Sequence, residues 1–316
     1  MAQQSIAEYL RHGQTPFFRL PTCPLDRQGP DVYRGLDAAI LGVPFDGGTT
    51  YHPGARMAPY HLRRVSALVL PHHAQHGLDV LNGLEIRDAG NIPTPPFNAA
   101  AARELIEVEL GSVFEAGAVP FVVGGDHSIT LPCLRAARRH HGPVALVHLD
   151  AHFDTTPPEA WGEPFHHGTP VRNALREELV APGRFVQIGL RGPWKASDDD
   201  AFTRLHGGHV VTADAVAARG IEAVAARTRD IVGDCPTYLS IDIDAVDPAF
   251  APGTGTPVPG GLTSREILAL VRALRGVNLI GMDLVEVAPV LDHADITALL
   301  GAHLLFESLA LLDVRR

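Results

Sequence analysis

Acidic and imidazole side chains alternate in one short segment, DAHFD at 150–154, which directly follows the apolar run 144–149. Residues two apart on a strand point to the same face, so Asp150, His152 and Asp154 are expected to point together. Carboxylates that end a buried strand without partners cost several kcal/mol, and a bound cation removes that cost. The segment therefore predicts metal ligands.

Two other segments end apolar runs in the same way. The run from Thr237 leads into Asp242 and Asp244, and the glycines of GGDHS at 124–128 allow a tight turn that places His127 at a helix start. Alone, GGDHS is also compatible with an ordinary strand-to-helix turn. Together the three segments supply the imidazoles and carboxylates of a two-metal site. The candidate ligands are His127, Asp150, His152, Asp154, Asp242 and Asp244.

The charges of these side chains indicate how many ions they would hold, and which. Four aspartates carry four negative charges, which two divalent cations balance and one cation does not. No cysteine is among the candidates, so Mn²⁺ is favoured over zinc, with Ni²⁺, Co²⁺ or Fe²⁺ as alternatives. A water between two such cations loses a proton far below its bulk pKa of about 15.7 and becomes a hydroxide nucleophile. The expected chemistry is metal-dependent hydrolysis.

Short apolar runs alternate with amphipathic stretches from residue 37 onward, the pattern of a parallel sheet covered by helices on both faces. Strands are predicted at 38–43, 118–123, 144–149, 185–190, 237–243 and 279–287, and helices at 99–116, 131–140, 213–232, 264–274 and 296–312. The loops 47–58, 155–170 and 248–261 follow strands, where the ligand crevice of an open α/β sheet lies. No linker divides the pattern, so a single α/β domain is expected over 1–316.

Composition excludes several classes of protein. The 26 Lys and Arg against 36 Asp and Glu give a net charge of −10, which disfavours nucleic acid as a partner. The first residues lack the features of a signal peptide, and no run approaches the roughly 18 apolar residues of a membrane span. The three cysteines are widely spaced, so no disulfide framework is indicated. We expect a cytoplasmic protein with no membrane contact.

The motifs GGDHS, DAHFD, SIDIDAVDP and GMDLVEVAP make the chain from residue 37 to 312 resemble the ureohydrolase family of arginase and agmatinase. The segment 247–266 is most similar to the branch that contains agmatinase, guanidinobutyrase and proclavaminate amidinohydrolase. The resemblance implies an arginase-like fold, a three-layer α/β/α sandwich with a mainly parallel central sheet. It also implies hydrolysis of a guanidino compound to urea and an amine by a metal-bridging hydroxide.

The same resemblance implies roles for individual residues. One ion would be held by His127, Asp150, Asp154 and Asp242, and the other by Asp150, His152, Asp242 and Asp244. His167, in the loop HHGTP at 166–170, matches the acid/base histidine of the family, and Glu286 matches the carboxylate that binds the guanidinium. Asp154 or His167 would protonate the departing nitrogen.

The resemblance further implies assembly with other subunits, as a homo-oligomer (trimer or hexamer) or with a related chain, and residues 1–36 are expected to pack on a neighbouring subunit. A non-catalytic partner subunit is the alternative of another class, but such a chain would be expected to lose a ligand, and all six are present. An amide hydrolase of the deacetylase branch would need one zinc and would leave His127, Asp244 and Glu286 without roles.

The substrate's tail stays open from the sequence. The loop 156–165 is largely apolar, which disfavours arginine itself. The remaining tails are the amine of agmatine, the carboxylate of 4-guanidinobutyrate with Arg191 as a partner, and the alkyl group of a methylated guanidine or biguanide, with Ni²⁺ as a candidate ion for the last. Strand alternation predicts that Phe153 points away from the metals into the core.

Overall fold

The computed structural model describes residues 15–24, 29–194 and 199–312, and its centre is an eight-stranded sheet in which all neighbouring strands are parallel. The strands are β1 (Ala38–Val43), β2 (Ile86–Asn91), β3 (Val119–Gly124), β4 (Val144–Leu149), β5 (Val180–Leu190), β6 (His209–Thr212), β7 (Thr237–Asp242) and β8 (Leu279–Val285). Their spatial order is β2-β1-β3-β8-β7-β4-β5-β6. The carboxyl ends of all these strands therefore lie at one edge of the sheet.

Helices cover both faces of the sheet. They are α1 (Ala58–Ser66), α2 (Val80–Gly83), α3 (Ala99–Glu115), α4 (Thr130–His141), α5 (Pro170–Arg176), α6 (Ala201–Leu205), α7 (Ala213–Arg219), α8 (Ile221–Val232), α9 (Ser264–Ala273) and α10 (Ile296–Leu309). Buried side chains of α1, α8, α9 and α10 form one core, and those of α3, α4 and α5 form the other. Among the residues that the structure describes, no helix has the length and apolar character needed to cross a membrane.

The central strands read as continuous apolar runs because both of their faces are buried. In β1, Ala38 and Ile40 belong to one core, whereas Ala39, Leu41 and Val43 belong to the other. Parallel strands between two helical layers bury side chains of both orientations, so polar and apolar residues do not alternate along them. The predicted α/β sandwich with a parallel sheet is confirmed.

Two strands of the central sheet were not predicted, nor was a small antiparallel pair, His72–His73 with Leu78–Asp79, and one predicted helix is broken. β2 carries the charged pair Arg87 and Asp88, and β6 is a short edge strand, so neither has the apolar pattern of a buried strand. The helix predicted over 213–232 is wrong as a single element, because Gly220, at φ 82°, separates α7 from α8. A residue in that left-handed region ends the first helix.

The described part of the N-terminal segment packs against its own domain. Phe17 and Phe18 are buried, and the guanidinium of Arg63 lies 4.4 Å from the ring centroid of Phe17. Arg63 in turn forms a buried ion pair with Asp88, at 2.7 Å between Nε and Oδ2. Residues 1–14 and 25–28 lie outside the described residues, so packing of 1–36 on a neighbouring subunit stays a prediction.

Candidate active site

The predicted ligands converge because their strands are neighbours in the sheet. The turn after β3 carries His127, β7 ends in Asp242, and the segment after β4 carries Asp150 to Asp154. β3, β8, β7 and β4 lie side by side, so the four carboxyl ends are adjacent at one edge. The site therefore lies where an open parallel sheet binds its ligands.

His127 lies at the centre of one group of carboxylates. Its Nδ1 is 2.9 Å from Oδ2 of Asp154 and 3.2 Å from Oδ2 of both Asp150 and Asp242. On the other side of the ring, Nε2 lies 2.9 Å from the hydroxyl of Ser240, which donates to Asp283 at 2.7 Å. The Ser240 contact directs Nδ1 towards the carboxylates.

A second group shares Asp150 with the first. His152 Nδ1 is 3.0 Å from Oδ2 of Asp244 and 3.4 Å from Oδ1 of Asp150. Asp150 therefore lies between the two imidazoles, with one oxygen towards each. The structure brings together all six side chains that the sequence analysis named as ligands.

The chemistry of this cluster fits bound cations. His127 Nδ1, Asp150 Oδ2 and Asp154 Oδ2 are buried and lie close to one another, but none of them forms a hydrogen bond of normal geometry among the described residues. Burial and then the nearby carboxylates of Asp244 and Asp150 raise the pKa of Asp242 well above its usual value. Unpartnered buried oxygen and nitrogen atoms with mutually repelling charges are what divalent cations satisfy.

The residues converge through turns, so the reasoning from strand alternation is wrong here. β4 ends at Leu149, before the first ligand, and Asp154 has φ 52° in the left-handed region. Asp242 accepts from the amide of Asp244 at 2.8 Å and caps the 3₁₀ turn Ile243–Ala245. Positive φ at a residue other than glycine costs energy and is found where a site requires a particular direction of the side chain.

His167 and Glu286 form a buried pair beside the cluster. His167 Nδ1 lies 2.9 Å from Glu286 Oε1, which also accepts from the amide of His127 at 2.8 Å. On the other side, His167 Nε2 faces both the amide of Thr50, at 3.2 Å, and its hydroxyl, at 2.7 Å. Burial lowers the pKa of His167, but the bond to Glu286 outweighs it and raises that pKa to about 9.

Close backbone packing fixes the position of this pair. Glu286 has φ 61°, and its amide donates to the carbonyl of Gly125 at 2.9 Å. A Cβ atom on Gly125 would lie 1.4 Å from the carbonyl oxygen of Phe45, so only glycine fits there. Glu286 is 1% exposed and is not among the described residues that line the cavity.

A cavity of about 470 Å³ opens over the cluster. Its lining includes His127, His152, Asp154, His167 and Asp242 at the base. Its walls include Phe153, Trp161, Trp194, Arg172 and Phe202. The prediction that Phe153 packs in the core is wrong, because the turn after β4 points its ring into the wall, where it contacts Trp194 edge-on at 5.1 Å between centroids.

Arg191 also lines the cavity, but its donors are already used. Nε and Nη2 donate to the carbonyl of Val258, at 3.0 and 2.6 Å, and Nη1 donates to those of Gly189 and Ala245 at 3.1 Å. Nη2 also reaches the carbonyl of Asp244, at 2.7 Å. Arg191 thus holds the loops around the site, and its proposed role as the partner of a substrate carboxylate is wrong.

Sequence reasoning missed His148, which lies two residues before Asp150 on β4. Its Nε2 is 3.0 Å from Oδ2 of Asp150, and its ring stacks on that of His127 at 5.0 Å. Its Nδ1 faces the side-chain amide of Gln187, at 3.0 Å, and that amide also donates to the carbonyl of Phe153. The sequence did contain a signal for His148, because an imidazole in an otherwise apolar buried strand needs a hydrogen-bond partner.

A sequence model of the arginase family matches residues 36–310. The chain belongs to the arginase family. It is 44% identical over 302 residues to proclavaminate amidinohydrolase of Streptomyces clavuligerus, covering 94% of each chain. It is 43% identical over 291 residues to guanidinobutyrase of Pseudomonas aeruginosa, covering 92% of this chain and 91% of the relative.

Solved structures agree with this assignment. That of the Streptomyces proclavaminate amidinohydrolase has a TM-score of 0.89 at 42% identity, covering 97% of this chain and 99% of the relative. Formiminoglutamase of Trypanosoma cruzi, solved with Mn²⁺, has a TM-score of 0.82 at 25% identity, covering 95% and 99%. The predicted arginase-like fold and ureohydrolase family are confirmed, and the chain is an amidinohydrolase of that family.

Proposed function

We propose that this chain hydrolyses a small cationic guanidino substrate to urea and an amine with the help of two divalent cations. The observation that carries the proposal is the convergence of two imidazoles and four aspartates beside the cavity, with several buried ligand atoms that form no hydrogen bond among the described residues. Such a set of oxygen and nitrogen donors is typical of a binuclear hydrolytic site.

The proposed ligand sets follow the two groups around Asp150. His127, Asp150, Asp154 and Asp242 would hold one cation, and Asp150, His152, Asp242 and Asp244 the other. When bound, the cations supply a water whose pKa is lowered towards neutrality. Mn²⁺ is the proposed metal, because no ligand is a thiolate and a solved relative contains it, with Ni²⁺ as the alternative.

His167 is the proposed proton donor to the departing nitrogen. It lines the cavity, and Glu286 favours its protonated form. The hydroxyl of Thr50 can accept from protonated Nε2, and the amide of Thr50 can donate to the same atom after the proton has left. Contacts that suit both protonation states allow His167 to act as acid and base, with Asp154 as the alternative donor.

Glu286 first orients His167, because its Oε1 accepts from that ring and from the amide of His127. Its other oxygen, Oε2, is the atom that the predicted pairing with a substrate guanidinium would use. This pairing would place the guanidinium carbon beside the cations and compensate the substrate's charge.

Two alternatives compete with this proposal. The same chemistry on a methylated guanidine or biguanide, with Ni²⁺, is favoured by the aromatic wall of Phe153, Trp161 and Trp194. A non-catalytic partner subunit of a larger assembly would keep the fold but not the activity. The presence of all six candidate ligands in one cluster, in which only His152 is partly exposed, favours the enzyme.

A urea-release screen tests the proposal. The purified chain, loaded with Mn²⁺ or Ni²⁺, is assayed with agmatine, 4-guanidinobutyrate, arginine, guanidine and dimethylated guanidines or biguanides. We expect urea from at least one compound, its loss in His127→Ala and Asp242→Ala, and no loss in the exposed control Asp234→Ala. Full turnover in either ligand variant, or no urea from any compound with either metal, would contradict the proposal.

A further inference from the structure

Arg172 is a residue of the cavity wall that the metal cluster and the His167–Glu286 pair leave unused. It lies in the first turn of α5, and its amide donates to the carbonyl of Asp154 at 3.1 Å. The residue is therefore tied directly to the segment that carries the candidate ligands. Its sequence position, five residues after His167, gave no sign of this placement.

The guanidinium of Arg172 is held in a fixed orientation. Its Nε donates to the carbonyl of Thr155 at 2.8 Å, and its Cζ lies 4.1 Å from the ring centroid of Phe202. One edge and one face are therefore occupied, and the four N–H groups on Nη1 and Nη2 have no acceptor among the residues that the structure describes. A side chain already fixed loses less entropy when it binds a ligand.

Arg172 forms no salt bridge within the part of the chain that the structure describes. Burial lowers its pKa, with Arg176 acting in the same direction and Glu159 opposing it. The guanidinium nevertheless stays charged, because its ordinary pKa is far above neutrality. A partly buried cation that forms no ion pair with the described residues, in a cavity wall, is suited to binding an anion.

We propose that Arg172 binds the tail carboxylate of the substrate, which is therefore a guanidino acid. This inference rests on the proposed function and narrows its substrate class. The guanidino group would lie at the cluster, the methylenes along Phe153 and Trp194, and the carboxylate against Nη1 and Nη2 of Arg172 in a two-point contact. The ammonium tail of agmatine would instead be repelled.

The other charged groups of the wall do not replace Arg172. Arg191 has its donors on backbone carbonyls. Asp199 is the acidic residue of the described wall outside the metal cluster, and it already interacts with another group of the protein. Arg172 is thus the cation of the described lining that has donors left for a substrate.

The test compares Arg172→Gln with Arg176→Gln, an exposed arginine of the same helix. Urea release is measured with 4-guanidinobutyrate, agmatine and guanidine, and kcat and KM are separated. In Arg172→Gln we expect the ratio of kcat/KM for 4-guanidinobutyrate to that for guanidine to fall about 10- to 100-fold, the value of a charge-assisted hydrogen bond, mainly through KM. In Arg176→Gln the ratio should stay within about twofold.

Three results would overturn the inference: an unchanged ratio in Arg172→Gln, an equal fall in Arg176→Gln, or a wild-type preference for agmatine over 4-guanidinobutyrate. If Arg172→Gln does not fold, Arg172→Lys keeps the charge without the planar fork, and an intermediate fall in the ratio is expected. An unchanged ratio in Arg172→Lys would also contradict the inference.

Failure of the proposed function is recognised separately, as no urea from any compound. Calorimetric binding of 4-guanidinobutyrate to the Mn²⁺-loaded chain then decides the matter. Binding that is lost in Arg172→Gln and kept in Arg176→Gln would support the carboxylate site. Binding of equal strength in both variants, or none in the wild type, would contradict it.

Discussion

Replacing Glu286 by Gln keeps the shape of the side chain and removes the charge that stabilises protonated His167. The Oε1 atom of Glu286 lies 2.9 Å from Nδ1 of His167, and this bond is the main reason that its pKa rises to about 9. In Glu286→Gln the pKa should therefore fall towards its ordinary value of 6.5, because burial lowers it while the carboxylates of Asp154 and Asp126 still raise it. A complete fall to 6.5 would be worth about 3 kcal/mol in favour of the neutral ring.

The assay is an NMR titration of the chelated, metal-free protein with ¹³C-labelled histidine. The chain contains 17 histidines, so the resonance is assigned from its absence in His167→Gln. The exposed residue Glu163 supplies the control Glu163→Gln, in which the pKa of His167 should not move. A pKa of His167 near 6.5 in the wild type, or an equal pKa in wild type and Glu286→Gln, would refute the reasoning.

The remaining predictions concern stability, packing and pH. Asp88→Ala leaves the buried guanidinium of Arg63 without its ion-pair partner, so it should lower the free energy of unfolding, measured by urea titration, by about 3–5 kcal/mol. Arg34→Gln, which removes the exposed ion pair with Asp31, should lower it by less than about 1 kcal/mol. Equal losses in the two variants would contradict this reasoning. Gly125→Ala should lower the affinity for Mn²⁺, because the added Cβ would displace the turn that carries His127. Calorimetry measures this affinity, and an unchanged value would contradict the packing argument. Folding raises the pKa of His167, so this residue should stabilise the metal-free fold fully below about pH 6.5 and progressively less as the pH rises through about 9. Urea titrations of the wild type and His167→Gln at several pH values measure this contribution. A contribution that grows between pH 6.5 and 9 would contradict the prediction.

Features encoded by local hydrophobic pattern were predictable from the sequence. β1 and β4 have their predicted bounds, because continuous apolar runs identify strands buried on both faces. β2 was missed because Asp88 is buried through a pair with Arg63, 25 residues earlier in the chain. No local pattern reports a partner at that distance.

In the candidate site, the types of the residues were predictable from the sequence, whereas the directions of their side chains were not. The residue types around Asp150 and Asp242 were enough to predict a cation-binding cluster, since such charges are tolerated in buried strands only with partners. The directions of the side chains were not predictable, because Phe153 and Asp154 follow the end of β4 instead of lying on it, and Asp154 has a left-handed backbone. Arg172 was missed because helix α5 and the loop it contacts had no pattern of their own.

The central claim is that six side chains from three strand ends hold a pair of divalent cations. Inductively coupled plasma mass spectrometry on the purified chain, stripped with chelator and then dialysed against Mn²⁺, tests it directly. We predict about two Mn²⁺ per chain. A chain that retains no ion or only one, both with Mn²⁺ and when Ni²⁺ is used in its place, would contradict the account.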